Sequence, residues 1–404
     1  LSRLLQLIPV LVGVTVLVAL ATSAPAEQPT TAPADLVKLL GEQGRLARTA
    51  EKELLALGER AVEPLIRGLT SENVEVRLGS LYVLRRLGPK ASDAADDVAA
   101  LLREGSRRVR LHAALTLGKV QGAAAAETLA DALADPSRGV RGAASFALRS
   151  LGESAVPALV GALKSGVPRQ RHAAATALQK IGPKARAAVG ELIEMLDAED
   201  YQTRRDAAVA LSELRPDPDK VLPKVMAAMA DPDEQRREMA LDLVRGLNTK
   251  PEKLLPPLMR LLDSDNADVR RDAVLALRSC GKDAAPAAKK LRGMLETTKD
   301  RKLRSALVVT LARIDPKDAS LEGPLVEIIE SPDASDRDEA VWALKDMKLG
   351  SRRVVELFAR LVRDAEEENV RRNACWALGD LGAEAAPAAE TLLEVGLSEK
   401  GRMK

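Results

Sequence analysis

His112 and His172 are the only imidazoles in this 404-residue chain, and Cys280 and Cys375 are the only thiols. Two histidines could share a zinc ion or move a proton, and a thiol beside an imidazole could attack a carbonyl. Each use needs its groups within hydrogen-bond or coordination reach. The repeat described below sets the histidines two helix pairs apart, ~20 Å by stacking distance, so a His-based triad or a two-histidine metal site is not expected. It sets the cysteines three pairs apart in core-facing columns, whose stacked helices lie ~8 to 10 Å from each other, so both are expected free and buried. Carboxylates are scattered over helical faces, and no glycine-rich phosphate loop follows a strand. The chain reads as non-enzymatic, with no catalytic residue, cofactor or metal.

One side chain that could bind anions does recur. Arginine stands at Arg77, Arg110, Arg141, Arg171, Arg204, Arg236, Arg270, Arg304, Arg337 and Arg371, at separations of 33, 31, 30, 33, 32, 34, 34, 33 and 34 residues. Seven positions after each is a leucine: Leu84, Leu117, Leu148, Leu178, Leu211, Leu243, Leu277, Leu311, Leu344 and Leu378. Three positions after, alanine is the rule, as at Ala113, Ala144, Ala174, Ala207, Ala273, Ala340 and Ala374. With the arginine as zero and about 100° per residue, offsets 3, 4, 6, 7 and 10 share one arc, the core face of a helix. The arginine sits on the rim of that arc, so a row of phosphate ligands is rejected.

A second helix precedes each arginine helix. Pro64, Pro157, Pro223, Pro257, Pro286, Pro324 and Pro387 fall near its expected start, where a missing N–H breaks no bond. Asp135, Asp231, Asp265 and Asp333 then lead into the arginine helix as N-caps do. Aromatic residues are only 1% of the chain, which suits helices packed closely through Ala and Leu. Lys plus Arg at 61 against Asp plus Glu at 59 leaves +2, which weakens a nucleic-acid reading.

The first residues are different material. Arg3, an apolar run from Leu4 to Leu20 and the small-x-small triplet Ala24-Pro25-Ala26 read as a secretory signal over 1–26, with export to the periplasm or extracellular space. An uncleaved anchor is the competing reading, although a Pro9-interrupted run is marginal for a span of ~20 residues. A linker over 27–34, a repeat array over 35–398 and a disordered tail over 399–404 complete the division. Asp35 to Gly58 reads as a degenerate first pair that could cap the stack, and Ala383 to Leu397 as a final lone helix.

Val140 to Leu148, and Val370 to Leu378 with Gly379, resemble the short HEAT-like repeats of the phycobilin-lyase type. The Trp-Leu-Gly-Tyr pattern of tetratricopeptide repeats and the Thr-Pro-Leu-His of ankyrin repeats are missing. The resemblance implies an all-α, right-handed superhelical solenoid of about eleven HEAT-like helix pairs, with the second helices lining the concave side. It also implies that the recurring arginines pair with acidic turn residues in a ladder along the stack.

On that geometry the outward column is offset 5, which holds Tyr82, Leu115, Phe146, Thr176, Val209, Leu241, Leu275, Val309, Trp342 and Trp376. An apolar stripe on a polar face is what an interaction groove needs; ordinary packing between successive second helices is the alternative. Leu78, Leu111, His112 and His172 join Tyr82, Leu115 and Phe146 in one candidate patch. Trp342, Arg372, Asn373 and Trp376 form a second, rich in the side chains enriched at hot spots. Between them Arg205 with Asp206, Arg237 with Glu238, and Arg271 with Asp272 read as self-satisfied pairs, and the groove as a whole has no strong sign. The expected function is a monomeric scaffold binding a protein or peptide, with no nucleic acid and no membrane insertion after cleavage. Relatives of such repeats include bilin lyases and DNA glycosylases, so an enzyme is one alternative and a structural envelope spacer another.

Overall fold

The computed structural model describes residues 31–247, 249–331 and 336–394, and every regular element among them is helical. The segment read as a signal and the tail lie outside the described residues, as does the first half of the linker, 27–30. The fold is an all-α solenoid, and the described residues divide into two compact blocks, one ending at residue 181 and the other beginning at residue 182.

In the N-terminal block α1 (Pro33–Leu39) packs on α2 (Arg45–Leu57) ahead of four repeats. These pair α3 (Val62–Leu69) with α4 (Val74–Leu87), α5 (Ala95–Glu104) with α6 (Arg107–Val120), α7 (Ala126–Asp131) with α8 (Arg138–Leu151), and α9 (Val156–Leu163) with α10 (Pro168–Ile181). The C-terminal block holds six more. They are α11 (Val189–Glu194) with α12 (Tyr201–Leu214), α13 (Pro218–Met229) with α14 (Glu234–Gly246), α15 (Pro251–Leu261) with α16 (Ala267–Arg278), α17 (Ala288–Thr297) with α18 (Arg301–Ile314), α19 (Glu322–Glu330) with α20 (Arg337–Met347), and α21 (Arg352–Asp364) with α22 (Glu368–Leu381).

Local chemistry sets the boundaries. Asn73, Asp200, Asp233, Asn266 and Asp300 cap second helices by accepting N–H bonds from their first turns, as at 2.8 Å from Lys302 to Asp300. Asp135 and Asp231, expected as caps, stand earlier and brace the turn, each accepting from the N–H two residues on at 2.7 and 2.8 Å. Asp265 precedes the cap Asn266, and Asp333 lies outside the described residues. Pro64, Pro157 and Pro324 open first helices as expected, whereas Pro223 and Pro257 lie inside α13 and α15, which begin a turn earlier at Pro218 and Pro251. Pro286 and Pro387 sit in short 3-10 segments between repeats. Such a segment follows α8 through Gly152, at φ 63° and ψ −130°, a conformation open to glycine alone.

The core follows the register. The leucines seven positions after the arginine are at most 1% exposed wherever the arginine column is correctly read. Small side chains let neighbouring second helices approach: Thr116 on α6 donates to the Leu81 carbonyl of α4 at 3.1 Å, and Thr310 on α18 to the Val274 carbonyl of α16 at 3.3 Å. A methyl added to Gly118 would lie 2.9 Å from Ala147 on α8, so glycine is required at that crossing.

The structure corrects the register in one repeat. Most recurring arginines donate Nη1 to the carbonyls six and five residues earlier, as Arg141 does to Asp135 at 2.8 Å and Pro136 at 3.0 Å. In α14 the side chain doing this is Arg237, which reaches the Asp231 carbonyl at 3.0 Å and that of Pro232 at 2.8 Å. The column therefore passes through Arg237 and not Arg236, Ala240 takes offset 3, and Val244 replaces Leu243 at offset 7. Leu241 is buried because it belongs to offset 4, while Asp242 is the exposed residue at offset 5. Both flanking separations, from Arg204 and to Arg270, become 33 residues.

Neither cysteine is buried as expected: Cys280 is half-buried and Cys375 exposed, both with free thiols. Offset 4 points toward the following second helix, and after α22 none is described.

Candidate partner-binding face

Successive second helices lie side by side in each block, and offset 5 points away from the first helices. In the N-terminal block Phe146 is 54% exposed. Tyr82, Leu111, His112 and Leu115 are half-buried, and His172 is exposed. Leu78 is 7% exposed and so is withdrawn from the surface assigned to it. Arg85 lies over the Tyr82 ring at 5.4 Å, and Arg86 donates to the Tyr82 hydroxyl at 3.2 Å. Burial, helped by the charges of Arg85 and Arg108, pushes His112 below the usual imidazole range.

In the C-terminal block Trp342 and Trp376 meet edge to face, ring centroids 6.1 Å apart. Lys345 lies 4.5 Å over Trp342, and Arg372 lies 5.7 Å over Trp376, which is 51% exposed. Asn373, expected at the surface, is 3% exposed because its amide points back to Asp338 of the preceding repeat at 3.4 Å. Val209 is 43% exposed, but Val309 is fully buried, so the stripe is interrupted.

The arginine ladder is mostly a set of carbonyl contacts. Arg110 does bridge to the next repeat's turn, with Nε 2.8 Å from Asp135, and Arg337 reaches Glu367 at 3.3 Å. The charges read as self-satisfied pairs are in part arranged differently. Arg237, 3% exposed, binds Asp272 of the next repeat at 2.9 Å in place of Glu238, while Arg271 keeps its expected partner Asp272 at 3.8 Å and also meets Asp268 at 3.3 Å. Asp206 accepts from Gln202 at 2.7 Å.

Burial pushes the Asp135 carboxyl up, but bonds from Arg110 and the Ser137 N–H, with the Arg110 and Arg141 charges, outweigh it and hold it below the usual range. A depressed carboxylate contributes stability above its unfolded value of about 4, and that contribution is lost as pH falls through the folded value. Asp135→Asn is therefore expected to lower the melting temperature of the N-terminal block at pH 7 and to narrow its difference from the unmodified protein toward pH 3. An unchanged difference at both pH values would contradict the assignment.

One open cavity of about 820 Å³ lies at the C-terminal ends of α16, α18 and α20 and is bordered by Cys280, Arg278, Arg313 and Lys345. Arg278 is paired with Asp336 at 3.3 Å, Arg313 with Glu339 at 3.2 Å, and Lys345 with Asp380 at 3.2 Å. Burial, then the Asp283 charge, pushes the Cys280 thiol up, which disfavours the thiolate a nucleophile requires. Among the described residues no group of three or more His, Cys, Asp or Glu could hold a metal ion.

Whole-chain neutrality hides a division of charge in the N-terminal block. Helices α4, α6, α8 and α10 carry thirteen Lys and Arg against one carboxylate, Glu75, which Arg108 holds at 2.6 Å. Their first-helix partners α3, α5, α7 and α9 carry two Arg against six carboxylates. The expectation of a groove without strong sign fails here, because the carboxylates that interrupt its basic column, Glu213, Asp346 and Asp380, all lie in the C-terminal block.

The family model for HEAT repeats matches residues 62–149, 127–212, 156–245, 222–312 and 322–401. No curated protein matches the sequence. Among solved structures, Kap121p bound to Nup53p is similar at a TM-score of 0.57 and 13% identity, over 86% of this chain and 44% of that one. Kap95p in a complex with RanGDP is similar at 0.52 and 16%, over 87% and 55%. The CpcE and CpcF complex of phycocyanin lyase from Nostoc sp. PCC7120 aligns at 0.41 and 22%, over 59% and 94%. The chain thus spans about half the length of the two Kap proteins, and identities this low establish the fold alone.

Proposed function

The chain belongs to the HEAT-repeat family, and from that premise we propose that it is a non-enzymatic, exported scaffold holding a protein or peptide against its second helices. The observation that carries this reading is the exposure of Phe146 and Trp376, 54% and 51%, in the outward column. A spacer has no reason to leave large aromatic rings in water, and such rings are the commonest anchors of protein interfaces. Kap121p and Kap95p are seen with Nup53p and RanGDP, so this fold carries protein partners elsewhere. The signal-like segment 1–26 supports export, and Glu27 as the first residue of the mature chain is its direct test.

A glycosylase reading would need a basic face with a carboxylate among aromatics. The N-terminal block has the basic face, but the one carboxylate of its second helices is occupied by Arg108. Binding, not glycosidic chemistry, is therefore favoured.

The test uses a partner captured by the mature chain from its own envelope fraction. Trp342→Ala with Trp376→Ala, or Tyr82→Ala with Phe146→Ala, is expected to weaken that complex by about 2 kcal/mol, roughly thirtyfold, with the helical circular dichroism unchanged. Undiminished affinity in both double variants would mean that these side chains are packing and that the scaffold reading is wrong.

A further inference from the structure

We propose that the second-helix face of the N-terminal block recognises an acidic amphipathic helix of a partner protein, apolar side down, with carboxylates along both flanks. The inference rests on the scaffold reading and adds the partner's chemistry. The central strip is made of Leu111, Leu115, Phe146 and Thr176 with the small residues Gly142 and Ala173 between them. Two basic rows border it. Near the C-terminal ends of the helices stand Arg86, Lys119, Arg149 and Lys180, all exposed. Near the N-terminal ends stand Arg107, Arg138 and Arg169, also exposed. None of Arg86, Lys119, Arg149 and Lys180 meets a carboxylate among the described residues, so these charges are not consumed by the fold.

Dimensions select the ligand. On α6, α8 and α10, which carry both rows, the rows lie twelve, eleven and eleven residues apart, ~16 to 18 Å, wider than the ~10 to 12 Å of an α-helix with its side chains. Four second helices at ~8 to 10 Å spacing extend ~30 Å, the length of about 20 helical residues. A helix laid across them would place apolar side chains on Leu115 and Phe146 and carboxylates beside both rows. The strip between the aromatic rings is aliphatic or small, and Tyr82 and Phe146 sit two repeats apart, ~20 Å, too far for consecutive stacked bases. An apolar strip would also gain nothing from the polar exterior of a duplex. The charge asymmetry therefore points to protein.

The experiment measures fluorescence anisotropy of the full chain with labelled helical peptides of about 18 residues that share a leucine face and differ in flanks, Glu or Lys. Single-stranded and duplex DNA are the remaining probes. The Glu-flanked peptide is expected to bind at least about tenfold more tightly than the Lys-flanked one and to weaken as salt rises. Lys119→Glu with Arg149→Glu and Lys180→Glu should reverse that preference, and Phe146→Ala should weaken both peptides with circular dichroism unchanged. Equal binding of the two peptides, or no response to charge reversal, would overturn the proposal. So would DNA binding more tightly than the Glu peptide and being lost in the same triple variant. If only the Lys peptide binds and depends on Phe146, the acidic partner is refuted while the scaffold reading stands.

Discussion

Arg237→Ala is expected to destabilise the C-terminal block by about 3 to 5 kcal/mol, the loss seen when one partner of a buried ion pair is removed. Arg237 is 3% exposed, binds Asp272 at 2.9 Å and also satisfies the carbonyls of Asp231 and Pro232. Its removal leaves a carboxylate and two turn carbonyls under a protein surface that water does not reach freely. The loss should fall toward the lower end, because Arg271 remains 3.8 Å from Asp272. Arg236→Ala is the informative control. Arg236 reaches Asp231 only at 3.6 Å and is partly solvated, so its loss should be below about 1 kcal/mol. Denaturant melts give the two values, and amide exchange in α14 and α16 locates them, since stacked repeats open locally. Equal losses would refute the corrected register.

Leu117→Ala should remove about 2 to 5 kcal/mol from the N-terminal block, because Leu117 is fully buried in a column that neighbouring repeats cannot collapse to fill. Leu115→Ala, two residues earlier on α6, should lose only about 1 kcal/mol of stability, since its side chain is half-buried on the outward side. The contrast tests the face assignment within one helix and with one residue type. It fails if Leu115 proves as damaging as Leu117, which would make offset 5 core.

The architecture was legible because its cause is periodic. Leucine and alanine at fixed distances from arginine can satisfy only one helical face, and no bulky core competes with that pattern. The slip at Arg236 has a specific origin: Arg236 and Arg237 are adjacent, and so are Leu243 and Val244, so offset 7 is apolar in either register. Ala240 and the even spacing of 33 were the discriminating signals, and both were present in the sequence. Leu78 and Asn373 were misplaced because a helical wheel gives direction but not what the neighbouring helix does. Each lies at offset 1 or 2, where a side chain can turn along the stack and be covered by the adjacent repeat. The basic face was missed for a different reason. The carboxylates that interrupt the basic column, Glu213, Asp346 and Asp380, all belong to the C-terminal block, and a repeat pattern alone does not mark where one block ends.

The glycine that ends a second helix has a consequence for the length of the chain. Gly122 and Gly152 both take a positive φ, 60° and 63°, and each introduces a 3-10 segment and then a first helix. The junctions on either side of that repeat share this glycine and 3-10 segment, with Gln121 interposed before Gly122 and nothing before Gly152. A gene that lost or duplicated the interval between two such glycines would return the chain to a glycine joint of the same kind. The length of the second-helix face can thus change by whole modules under recombination.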